Sequence, residues 1–124
     1  KTHKYHWNVT GPMFHSLHLL FEQQYTELAL AVDTIAERIR ALGWKAPGSY
    51  AEFAKLSTVK DAVGDPSASD MIRELAEDHR TVAEQANRVL KLAGEHEDEG
   101  SSTVASDRIE IHEKAAWMLS AHLD

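Results

Sequence analysis

The residues best suited to chemistry fall in the first third of the chain: His6, His15 and His18, then Glu22, then Asp33 and Glu37. Imidazole and carboxylate together, without thiolate, suit iron, manganese or zinc better than soft copper(I). Calcium would take oxygen ligands alone. Cysteine is absent, which excludes thiolate metal sites and disulfides. His18 and Glu22 are spaced i, i+4, and so are Asp33 and Glu37, so on a helix each pair offers two donors to one point.

The element that must carry them is legible from its apolar residues. Phe14, Leu17, Phe21, Tyr25, Leu28, Val32, Ile35, Ile39 and Leu42 step by three or four, with no Gly or Pro between Phe14 and Leu42. That is helical periodicity, and Gly43 is a natural stop. On a wheel with Phe14 at zero, the apolar stripe spans about 280° to 20°. His18, Glu22, Asp33 and Glu37 fall at roughly 40°, 80°, 100° and 140°, a second stripe along the edge of the first. His18 and Asp33 are nevertheless about 22 Å apart along the axis, while metal–ligand bonds are near 2 Å. One ion cannot touch both within one chain. A second copy running antiparallel across a two-fold axis would bring His18 and Glu22 of one chain to Asp33 and Glu37 of the other, and an isologous contact repeats the site automatically. His6, just before the turn "TGPM", could join His18.

The remaining chain reads as helix throughout, with no strand-like alternation. Lys1–Val9, too short to judge by period, reads best as the tail of an earlier helix, separated from the long helix by Gly11 and Pro12. "SYAEFAKLS" forms a short helix capped by Ser49, with Glu52 at the capping-box position. Ser67 or Ser69 caps a second long helix with Met71, Leu75, Val82, Ala86, Val89 and Leu90 on its stripe, ended by Gly94. "EHEDEGSS" reads as an exposed acidic loop, and a last helix runs from about Thr103 to Leu123. Two helices of roughly 25 to 30 residues suit an antiparallel bundle, and the 124 residues suffice for one domain, 1–124, with a single core. The net charge of −7 argues against a broad nucleic-acid face. No apolar run reaches membrane-spanning length. The absence of cysteine fits a reducing cytoplasm.

Intra-bundle di-iron sites use Glu-x-x-His, and no His here has an acid three residues before it. That favours the site between chains. Trp7 reads first as a packing anchor and His15 as a surface residue, each an accessory candidate by its place beside a ligand. His79, His112 and His122 lack acidic neighbours at ligand spacing and read as core-edge or surface residues. Glu97 and Asp98 read as a solvated loop, or as a funnel that concentrates cations.

"HWNVTGPMFHSLH" followed by "DTIAER" closely resembles the Dps-like mini-ferritins of the ferritin superfamily, and the resemblance extends to "RIEIHEKAAWML". It implies an all-α, ferritin-like four-helix bundle with a short helix in the central crossover and the first helix truncated in this chain. It implies a homo-dodecameric shell with ferroxidase sites at two-fold interfaces, oxidising Fe(II), typically with hydrogen peroxide, and storing ferric mineral against oxidative stress. By position, His6 and His18 match the family's histidines, Asp33 and Glu37 its D-x-x-x-E acids from the neighbouring subunit, and Glu22 stands where Asp is usual. Zinc could substitute for iron. Pore acids are assigned to Glu97, Asp98 or Asp107, with Thr103 standing where an Asp is expected. DNA binding, with nucleoid association, is the alternative reading, carried in many members by Lys- and Arg-rich tails.

Overall fold

The computed structural model describes residues 1–124 and is all-helical. Five helices follow in order: α1 Thr2–Asn8, α2 Phe14–Ala41, α3 Tyr50–Leu56, α4 Ala68–Glu95 and α5 Glu99–Ser120. The long helix α2 starts at Phe14, as its periodicity implies, and Leu42 is its C-cap. Ser67, rather than Ser69, caps α4, its side chain accepting from Asp70 N–H. Ser49 and Glu52 form the complete capping box on α3.

Helix α5 begins four residues earlier than the sequence suggests. Asp98 lies within the acidic run, yet its carboxylate accepts from Ser101 N–H and caps the helix. Arg38 of α2 pairs with the same carboxylate and donates to Ser101 Oγ. The run is therefore a helix start anchored to α2, not a free loop, because an Asp at the N-cap satisfies an otherwise orphaned backbone N–H. Glu97 at φ 54° makes the tight turn out of α4.

The tightly packed core lies at one end. Tyr5 and Val9, Leu17 and Phe21, Met71, Ile72 and Leu75, and Leu119 join four helices there. Burying each of these large side chains stabilises the fold by about 1.5–3 kcal/mol. Two polar ties fix α1 to α4: Tyr5 Oη donates to Glu74, and Lys1 Nζ pairs with Asp78 at 2.8 Å. Burial raises the Tyr5 phenol well above its usual range, with the Glu74 carboxylate adding to the effect.

The second half of the α2 stripe behaves differently. Val32, Ile35 and Leu42 are exposed, lining an apolar cleft of about 500 Å³ between α2, α4 and α5. His3 of α1 stacks on Tyr25 and His6 on His18, so α1 runs antiparallel along α2. The cleft begins at Leu28, one turn beyond Tyr25. None of the helices is long and apolar enough to cross a membrane.

Candidate metal centre

The turn between α1 and α2 positions the first pair of candidate ligands, His6 and His18. Gly11 takes φ +98°, a left-handed conformation that costs glycine nothing. Phe14 N–H closes the turn on Gly11 C=O. The chain thereby folds back and places His6 against His18, ring centroids 3.9 Å apart and nearly parallel. Phe14 flanks His18 at 5.1 Å, and Tyr25 meets His6 edge-on at 5.2 Å.

The two rings hold each other through the backbone. His6 Nδ1 lies 2.7 Å from His18 C=O, and His18 Nδ1 lies 2.8 Å from His6 C=O. A carbonyl can only accept, so each neutral ring carries its proton on Nδ1 and leaves the Nε2 lone pair free. This is the arrangement that orients metal-bound histidine. Nothing in the sequence marks it, because the two acceptors are backbone carbonyls that every residue possesses.

His6 is buried and His18 half-buried, whereas Glu22, Asp33 and Glu37 are exposed on α2. The structure thus brings His6 to His18, with Glu22 one turn further on. It does not bring Asp33 or Glu37 to them, and no cluster of three or more His, Asp or Glu residues gathers as a metal site within one chain. Trp7 is 65% exposed and lies against His3 with centroids 4.0 Å apart, so it does not anchor the core of its own chain. His15, Glu97 and Asp107 are exposed, and the Asp98 carboxylate is engaged by Arg38 and Ser101.

A different set of histidines departs from expectation. His79 and His112 are buried, at 5% and 3% exposure. Their Nδ1 atoms lie 2.8 Å apart, and Arg108 links His112 to Glu27. Sequence spacing hid this group because Glu27 comes from a different helix and reaches the pair only through Arg108. Burial, and after it the Arg108 guanidinium, pushes His112 down to about 4. Burial likewise lowers His79. The Arg108 hydrogen bond holds the Glu27 carboxyl below its usual range. His122 is half-buried and its Nδ1 meets Met118 C=O.

The chain is all-helical, and it carries the candidate imidazole and carboxylate ligands His18, Glu22, Asp33 and Glu37 on one long helix. The ferritin-like domain family matches residues 1–124, and the chain belongs to that family, with Dps proteins among its relatives. It is 40% identical to a low temperature-induced protein of Nostoc sp., over all of this chain and 70% of that one. It is 35% identical to DNA protection during starvation protein 2 of Bacillus anthracis, over all of this chain and 85% of that one. The crystal structure of a Dps protein from Vibrio cholerae O1, described as a member of a broad superfamily of ferritin-like diiron-carboxylate proteins, superposes with a TM-score of 0.94. It is 36% identical and matches 99% of this chain and 77% of that one.

Proposed function

We propose that this protein is an iron-storage and stress-protection ferroxidase whose substrate, Fe(II), binds where two copies of the chain meet. The observation that carries this reading is the reciprocal lock of His6 and His18, which leaves two Nε2 donors free on one half-site. The acids Asp33 and Glu37 stand about 22 Å and about 28 Å from His18 along the same helix, exposed and without partners that would explain them as ion pairs. A two-fold copy, with α2 antiparallel to itself, completes His6, His18 and Glu22 with the partner's acids. The diiron-carboxylate description of the Vibrio relative supports iron as the metal.

In this reading the carboxylates offset the Fe(II) charge while the imidazoles supply neutral donors. Two Fe(II) ions deliver two electrons to one hydrogen peroxide, which takes up two protons and leaves as two waters. Ferric product collects inside a closed homo-oligomeric shell, a dodecamer in the family resemblance, and the site of action is the cytoplasm. Zinc, with similar ligand preferences, would occupy the same donors without turning over.

The test is peroxide-dependent Fe(II) oxidation, followed by ferric absorbance, in wild type and in the double variant His18→Ala, Asp33→Ala. The variant should assemble normally and lose the fast phase; oxidation at the wild-type rate would refute the assignment. The starvation-protein name of the Bacillus relative suggests DNA as a second partner, but a net charge of −7 opposes phosphate binding. Salt-sensitive retardation of DNA in a gel would reinstate it.

A further inference from the structure

A second polar constellation lies inside the helical packing, apart from the half-sites. Glu27 comes from α2, His79 from α4, Arg108 and His112 from α5. Both Nη atoms of the buried Arg108 grip the Glu27 carboxylate, and Nη2 also donates to His112 Nε2 at 2.9 Å. A guanidinium can only donate. His112 Nε2 is therefore an acceptor, and the proton of that ring sits on Nδ1. This Nδ1 lies 2.8 Å from His79 Nδ1, which must accept in turn. The proton of His79 is thereby left on Nε2. Donation runs one way through both imidazoles and ends on the His79 Nε2–H.

That N–H is buried with no partner, and so are both amide atoms of Gln24 on α2. His79 is 5% exposed and Gln24 8%. Both line a cavity of about 210 Å³, with Lys114 at its edge and Leu20, Ala115 and Met118 along its wall. Unpaired buried polar groups are costly, and two of them facing one space mark it as a place for a hydrogen-bonding guest. The space is too small for a nucleotide or an organic cofactor, which need about 300–1,000 Å³. A metal ion finds no free imidazole lone pair there, since a proton occupies His79 Nε2 and the other three ring nitrogens are engaged, and the one carboxylate in the lining, Glu27, is already gripped by Arg108. Glu27 also lines the cavity, but its carboxylate is matched by Arg108 behind it, which leaves Lys114 as the one unpaired charge there. Of the three free atoms, His79 Nε2 and Gln24 Nε2 are donors and Gln24 Oε1 an acceptor.

We propose that this cavity binds a small carboxylate-type monoanion with a short apolar tail. Its oxygens accept from His79 Nε2–H and the Gln24 amide, with Lys114 closing over the charge. Its tail lies on Leu20, Ala115 and Met118. Inorganic planar anions such as bicarbonate share the acceptor chemistry, and the apolar wall separates the two sources.

Isothermal titration calorimetry on the full chain, at constant ionic strength, compares bicarbonate, formate, acetate, propionate and butyrate. One saturable site per chain is expected, tightening about fourfold per added methylene. Gln24→Met should weaken binding at least tenfold. Lys114→Gln, at an exposed position that cannot disturb the core, should weaken it severalfold and serves alone if Gln24→Met does not fold. No saturable heat with any anion overturns the proposal, as does unchanged affinity in Lys114→Gln. Bicarbonate binding as tightly as butyrate overturns the carboxylate assignment.

Discussion

His112 gives the fold a built-in acid sensitivity whose size follows from its surroundings. An unfolded histidine titrates near 6.5, whereas burial and Arg108 push His112 down to about 4. Between those values the unfolded chain takes up a proton that the folded ring refuses. Stability is therefore complete above about pH 6.5, falls as pH drops through the window, and loses nothing further from this group below pH 4. At 1.36 kcal/mol per pH unit, going from pH 7 to pH 5 costs about 2 kcal/mol from His112 alone. His79, lowered by the same burial, adds in the same direction. The experiment is urea unfolding followed by tryptophan fluorescence at pH 7, 6 and 5, at one fixed protein concentration, for wild type and His112→Leu. The variant should be less stable at pH 7, because Arg108 and His79 lose a partner, yet lose about 2 kcal/mol less than wild type on acidification. Equal losses in the two proteins would refute the reasoning.

Other substitutions test separate parts of the fold. Ile72→Ala, at a fully buried site in the core, should cost about 3 kcal/mol in denaturant unfolding, through lost transfer energy and the cavity left behind. Glu27→Gln removes the carboxylate that Arg108 grips with both Nη atoms and should cost about 2 kcal/mol, moderated by the partial exposure of Glu27; the same variant should shift the acid transition of the histidine pair. Ser49→Ala breaks the capping box and should cost about 1 kcal/mol. That loss is local to α3 and should show as faster amide exchange there, with little change in global unfolding.

The sequence made α2 legible from its first turn, because a long run without Gly or Pro and with apolar residues every three or four positions has one reading. The Ser49 cap, a serine cap at Ser67 or Ser69, and the short helix α1 were legible for the same reason: each is a local signal. What could not be read depends on other helices. Asp98 looks like part of a solvated acidic run until Arg38, sixty residues earlier, reaches it. Gln24 falls on the apolar stripe of α2 and is buried with it, against its polar character. His79 and His112 have no acid at ligand spacing along their own helices, and their connection to Glu27 exists only through Arg108. The candidate ligand pairs His18/Glu22 and Asp33/Glu37 could be picked out because i, i+4 spacing is local geometry; the Nδ1–carbonyl lock between His6 and His18 could not, since it joins two helices through the backbone.

That lock has a thermodynamic side. Each imidazole is fixed by a carbonyl of the opposite helix, so neither ring needs an ion to find its orientation. The rotamer freedom that a metal normally has to remove from its ligands has already gone into folding the turn between α1 and α2. The proposed acids are the reverse: Asp33 and Glu37 remain exposed and would lose their freedom only when another chain arrives. In the proposed site, half of the donors are therefore preorganised by folding and the other half would be ordered by association. Mutations that loosen the Gly11 turn should weaken ion binding at constant assembly, and mutations on the exposed half of α2 should weaken both together.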